Sequence, residues 1–209
     1  MKEMKIQETI MTRTRTQGTP QNDIAIEDLQ PGDVVHSYIW EDDEYVHSGI
    51  CLSQDEIAHF VYEGGDIVPP NQLIGNRSRL DVYRSHAGIW TPDRLVTLDT
   101  FSRECVGTSY DYVGAGALEE SKHEHQSTIR DKLERFAKGK LNLPPIKSSK
   151  YFCSQFIVCC FAYAGIIGES AQVLYDPKTY SPEGLADDPT FGLPVGYIEI
   201  HRSKLGGFR

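Results

Sequence analysis

A chain of 209 residues with 39% hydrophobic residues, eleven Tyr and eight Phe is long enough to form one domain around a real core. Its net charge of −9 excludes a general nucleic-acid binder, which would carry a basic face, although a locally basic pocket for an anionic substrate remains compatible with it. Five cysteines, Cys51, Cys105, Cys153, Cys159 and Cys160, are odd in number and fit neither a disulfide framework nor a paired Cys-x-x-Cys zinc site, so the thiols are expected to be reduced.

Residues 1 to 23 are polar and lack the periodicity of a packed element, which predicts a flexible or loosely docked arm. Met1-Lys2-Glu3-Met4-Lys5 has no apolar signal stretch, and no segment reaches membrane-spanning length. The expectation is a cytoplasmic protein without stable membrane insertion, signal-independent export staying open. The single domain, 24–209, is expected to begin near Ile24. Leu29-Gln30-Pro31-Gly32-Asp33 reads as a turn into a strand over Val34 to Ile39. Strands over Tyr45 to Leu52 and Glu56 to Tyr62 follow, separated by Ser53-Gln54-Asp55, and Leu80 to Arg84 is a further short strand. Pro92 suits the first turn of a helix through about Val106, with Leu95, Leu98, Phe101 and Cys105 at helical spacing.

Residues 118–150 read as a charged insertion on the surface, with a helix near Thr128 to Lys138 and Pro144-Pro145 behind it. A helix from Cys153 to about Gly165 is almost wholly apolar, so it must be buried on every side. Asp176 to Pro194 is turn-rich; Tyr180, Leu185 and Phe191 within it could line or cover a pocket. Val195 to Ile200 reads as a last strand.

Cys153 opens the apolar helix, where unpaired N–H groups and the positive end of the macrodipole favour a thiolate. His47 and His59 stand on successive predicted strands, twelve residues apart. Alternation puts His47 on a face with Tyr45, Gly49 and Cys51, and His59 with Ile57 and Val61. A three-residue loop over Leu52 to Gln54 would pair the two histidines directly, and an odd-length loop centred one residue away would place them diagonally on one face. An even-length loop would send the rings to opposite faces. One imidazole can take the thiol proton while a second polar side chain orients it. His36, His86 and His201 show no partner in the sequence and are expected to be structural. Asp111 could hold a substrate amine or stabilise a turn. No cofactor is expected. A metal site at His123-Glu124-His125 or among Cys153, Cys159 and Cys160 is weighed against a solvated face and buried core thiols, which explain these residues better.

His47-Ser48-Gly49-Ile50, His59, and Cys153-Ser154-Gln155-Phe156-Ile157 together resemble the papain-like NlpC/P60 superfamily. The order histidine then cysteine is similar to its circularly permuted branch, which includes amidase-like hydrolases and lecithin:retinol acyltransferase-like proteins. Leu29 to Val35 resembles that branch's approach to its first strand, and Gly107-Thr108-Ser109-Tyr110 its Gly-x-x-Tyr segment. The resemblance implies an α+β, permuted papain-like fold: an antiparallel sheet or small barrel packed on a buried helix that starts at the nucleophile. It implies Cys153 as nucleophile, His47 as general base and acid, His59 as orienting residue and Tyr110 as an oxyanion donor. A long segment separates Tyr110 from Cys153, which departs from the family pattern. The expected activity is that of a cysteine amidase or peptidase on a peptide or small amide, cell-wall derived ones included. A lipid acyl hydrolase or acyltransferase acting on a lipid substrate, and an inactive peptide- or lipid-binding module, are the alternatives.

Overall fold

The computed structural model describes residues 20–39, 44–74, 79–143 and 145–199. Its architecture is α+β. The strands are β1 (Val34–Ile39), β2 (Glu44–Cys51), β3 (Ile57–Val61), β4 (Gly64–Val68) and β5 (Arg79–Arg84), followed late in the chain by β8 (Leu193–Ile198). They form one six-stranded sheet in the order β4-β3-β2-β1-β5-β8, antiparallel at every pairing. Two further short strands, β6 (Ser109–Tyr110) and β7 (Lys150–Tyr151), pair with each other in parallel. The helices are α1 (Pro70–Ile74), α2 (Pro92–Glu104), α3 (Tyr112–Gly116), α4 (Leu118–Ala137), α5 (Cys153–Tyr163), α6 (Glu169–Gln172) and α7 (Pro182–Asp187).

Alternation along the strands feeds two apolar layers. Val34, Ile50, Ala58, Phe60 and Tyr83 face helices α2 and α5 and form the larger core with Leu98, Phe101, Phe156, Ile157 and Phe161. Val35, Cys51, Ile57, Leu80 and Val82 point the other way, where Leu29, Val68, Leu73 and Ile198 cover them. Every residue of α5 from Cys153 to Ala162 is buried, as its composition demands. Burying each of Phe156, Ile157 and Phe161 contributes about 1.5–3 kcal/mol. Leu185 and Phe191 belong to the same core, so the turn-rich segment after α6 is packed structure that closes over α5.

Of the expected arm, residues 1–19 lie outside the described part, as does His201. Asn22 to Ile24 run beside β8: Tyr197 N–H donates to Asn22 O at 2.8 Å and Ile24 N–H to Tyr197 O at 2.9 Å. Gly196 makes room, since a Cβ there would fall 2.4 Å from Ile24 Cγ2.

Three expectations change. Tyr45 does not share the face of His47. Register passes from Ser37↔His47 to Tyr38↔Tyr45, so Val46 is an extra residue in β2. This bulge turns Tyr45 into the larger core while His47 stays with Gly49 and Cys51. The charged helix is longer than expected, running from Leu118 to Ala137, and one residue of this surface insertion anchors it to the body of the fold. Its buried residue His125 places Nε2 3.1 Å from Leu174 O and Nδ1 3.7 Å from Asp176 Oδ2. The strand β4 stands between Tyr62 and Leu80, where the sequence predicts none, and it opens with Gly64-Gly65.

That glycine pair has a physical reason. A Cβ on Gly65 would lie 2.4 Å from Cys105 O, and Gly64 has φ +117° with Thr108 O 2.5 Å from its Cβ position. The chain at 105–108 therefore docks on the start of β4, through Gly65 N–H to Thr108 O (2.9 Å) and Gly107 N–H to Gly65 O (2.8 Å). Gly65→Ala is expected to destabilise the fold by about 2 kcal/mol, because backbone must move to admit the methyl group. A denaturant midpoint equal to that of the parent would contradict this.

Candidate active site

Pairing of β2 with β3 is short. It runs from Cys51↔Ile57 to Gly49↔His59 and stops, while β2 continues along β1 and β3 continues along β4. The two strands thus part at Ser48. Cys51 N–H donates to Asp33 O on the β1 side. By alternation, Gly49 and His47 also point their N–H groups toward β1, and Ser48 points toward β3. With β3 gone from that position, the Ser48 N–H acts on the Cys153 sulfur instead and favours its charged form.

The start of α5 complements this arrangement. Phe152, the N-cap residue, has no side-chain acceptor to offer the first turn, and Gln155 Oε1 accepts only from the Phe152 N–H at 3.2 Å. The N–H groups of Ser154 and of Cys153 itself are left to the sulfur. Ser154 Oγ donates to Tyr180 O at 2.6 Å and ties the closing segment to the first turn of the helix.

The histidines meet diagonally across the sheet. Gly49, not His47, is the partner of His59, so the five-residue connection Leu52 to Glu56 realises the diagonal, same-face alternative. Nε2 of His47 lies 3.0 Å from Nδ1 of His59, and the rings stand at 80° with centroids 5.2 Å apart. Both rings are buried, at 9% and 6% exposure. Burial pushes the pKa of His59 below its ordinary value, against a smaller opposing pull from Asp66, its neighbour across the β3–β4 pair. His59 is therefore a neutral ring. Its Nε2 is buried without a hydrogen-bond partner among the described residues.

Tyr110 arrives from the far side of α3 and α4, yet it lies beside the helix start. The β6–β7 pair sets Tyr110 opposite Tyr151, two residues before Cys153, and Asp111 N–H donates to Tyr151 O at 2.9 Å. Burial raises the pKa of the Tyr110 phenol, and the Cys153 sulfur adds to the effect, so the hydroxyl keeps its proton. The long insertion leaves and returns through this two-stranded link without displacing Tyr110.

The thiol departs from the simple helix-terminus expectation. Burial pushes Cys153 above its ordinary value, and the N–H groups of Ser48, Ser154 and Cys153 pull it back only in part. Cys51, Cys105, Cys159 and Cys160 are also pushed up, chiefly by burial.

Other candidates resolve into structural roles. Asp111 caps α3 by accepting from Gly114 N–H at 2.9 Å and pairs with Lys150 at 2.8 Å. Burial would raise its pKa, but Lys150 and the Gly114 N–H outweigh it and hold the carboxyl below its usual range. His86 lies on the surface with Nδ1 3.0 Å from Ala87 O. His36, without a visible partner in the sequence, is fully buried with Nδ1 2.9 Å from Ser48 Oγ, between the rings of Tyr45 and Tyr83. It braces the residue whose N–H acts on the thiol. The i, i+2 spacing in His36-Ser37-Tyr38 hinted at a common face, but its partner Ser48 needed the register. Among the described residues, no three His, Cys, Asp or Glu side chains gather as a metal set.

His59 carries a pH signature. Its folded pKa lies below the unfolded value of about 6.5, so the unfolded chain binds the proton first. Its contribution to stability is present above that pH and is lost as pH falls through the folded pKa. His59→Gln is expected to flatten the decline of the thermal midpoint as pH falls below about 6.5; an unchanged slope would show that His59 titrates alike in the folded and unfolded chains.

No protein-family model, curated protein or solved structure matches the chain.

Proposed function

We propose that the chain is a cysteine amidase or peptidase with a permuted papain-like fold of the NlpC/P60 type, acting on a peptide or small amide through a thioester. The observation that carries this reading is the buried pair of His47 and His59, Nε2 to Nδ1 at 3.0 Å, with His47 on the strand whose Ser48 N–H favours the charged form of the Cys153 sulfur. Nε2 of His47 is thereby engaged by His59, and the residue next to His47 acts on the thiol.

The chemistry follows from the protonation states. A neutral His59 accepts from His47 Nε2–H through Nδ1, and this tautomer gives His47 Nδ1 the lone pair that a base requires. Because burial disfavours a resting thiolate, Cys153 transfers its proton to His47 as the sulfur attacks the carbonyl carbon. The C–S bond forms and the carbonyl π pair moves to oxygen. Donors for that oxyanion are the Cys153 N–H and the protonated phenol of Tyr110. Collapse of the intermediate breaks the C–N bond, and His47 returns the proton to the leaving amine. Water, deprotonated by His47, then attacks the thioester; the acid is released and the thiol regains its proton.

Cys153→Ala is expected to abolish turnover of a panel of peptides and amino-acid amides, followed as released amine, with the thermal midpoint kept within a few degrees of the parent. Undiminished turnover would remove the nucleophile. A panel on which only lipid esters are cleaved would replace the amide reading with a lipid one. Tyr110→Phe is expected to lower kcat about 100-fold with little change in KM, the cost of one oxyanion donor. An unchanged kcat would exclude the phenol from the oxyanion site.

A further inference from the structure

Three tyrosine rings stand in a cluster beside the helix start. Tyr62 lies in the Tyr62-Glu63 turn joining β3 to β4, three residues after His59. Tyr112 opens α3, immediately behind the Asp111 cap. Tyr62 and Tyr112 stack with planes 2° apart and centroids at 5.5 Å; Tyr110 meets them edge-on at 5.6 and 5.1 Å. The Tyr112 hydroxyl donates to Tyr62 O at 2.9 Å, which locks the two elements together.

Such rings would ordinarily be turned inward. Tyr62 is instead 73% exposed, Tyr112 57% and the adjacent Val113 76%, while Tyr110, half-buried, links them to Cys153. A fixed apolar face held in water beside a reactive centre is a signature of a binding surface. Its rings are set by two turns and a hydrogen bond before any ligand arrives, so little ordering accompanies binding.

We propose that Tyr62 and Tyr112, continuous with Tyr110, form the specificity wall of the site and take an aromatic side chain of the amide substrate next to the scissile bond. This rests on the amidase reading above. Flat rings favour a flat partner: an added aromatic ring gains offset-stacked or edge-on geometry at 4.5–7 Å, which an aliphatic chain of equal area does not. The Asp111 carboxylate, already engaged by Gly114 N–H and Lys150, does not turn the cluster toward a substrate amine.

The test uses binding, so that it is separable from turnover. In the 209-residue Cys153→Ala chain, N-acetyl-phenylalaninamide, N-acetyl-leucinamide and N-acetyl-alaninamide are titrated while the tyrosine ring resonances are followed by NMR. The phenylalanine amide is expected to bind at least about tenfold tighter than the other two and to shift the Tyr62 and Tyr112 signals. Tyr62→Ala in the same background should remove that preference without lowering the thermal midpoint. Equal affinity for phenylalanine and leucine amides, absence of binding, or a preference that survives Tyr62→Ala would each overturn the wall. Aromatic selectivity here, with a parent chain inactive on every amide, would remove the catalytic reading and leave the aromatic site standing.

Discussion

The parting of β2 from β3 at Ser48 is the constraint on which the rest of the site depends. A strand N–H that loses its neighbour in a buried place needs another acceptor, and the Ser48 N–H, freed where β3 departs, acts on the Cys153 sulfur and favours its charged form. One peptide then joins the sheet to the first turn of α5. From it His47 projects on one side of the sheet, and on the other Ser48 Oγ meets His36. His59 enters from the strand that has moved away, and its diagonal offset lets Nδ1 meet His47 Nε2. A continuous β2–β3 ladder would seal the gap and bar the sulfur from it.

The second requirement is that Tyr110 and Cys153 stay adjacent although α3 and α4 intervene. The parallel β6–β7 link meets it locally, because Tyr110 and Tyr151 are partners whatever the insertion does beyond them. Gly64 and Gly65 fix the other end of this segment by admitting the backbone of 105–108 against β4. Helix α4 is held separately, through His125 on Leu174 O and near Asp176. The segment it grips continues to Tyr180, whose carbonyl accepts from Ser154. The insertion is thus mechanically continuous with the start of α5.

Residue pattern made the main elements legible where side chains alternate or cluster. The apolar run after Cys153 announced a buried helix, and the loop arithmetic between His47 and His59 allowed the diagonal pairing that occurs. Other features were hidden for physical reasons. The β-bulge at Val46 reverses Tyr45 without any glycine or proline to mark it. Gly64-Gly65 looks like a turn because the strand it begins is shaped by a backbone contact, which composition does not record. In α4 the apolar stripe is too thin to stand out from its charges, and only His125 is buried. The tyrosine cluster joins residues 62, 110 and 112, whose proximity exists only once β3, β4 and the 105–108 segment are docked.

Burial and activation oppose each other at Cys153, and their balance decides whether it is a nucleophile or another core thiol. All five thiols are raised by burial, so the other four serve as internal references. The most direct measurement is the iodoacetamide alkylation rate of each cysteine between pH 5 and pH 10, by peptide mass mapping, in the parent and in His47→Ala. A working Cys153–His47 pair predicts that Cys153 alone is labelled rapidly near neutral pH, and that His47→Ala slows it at least about tenfold toward the rates of the others. Labelling of Cys153 as slow as that of Cys159, and indifferent to His47→Ala, would contradict the pair and leave Cys153 a structural thiol.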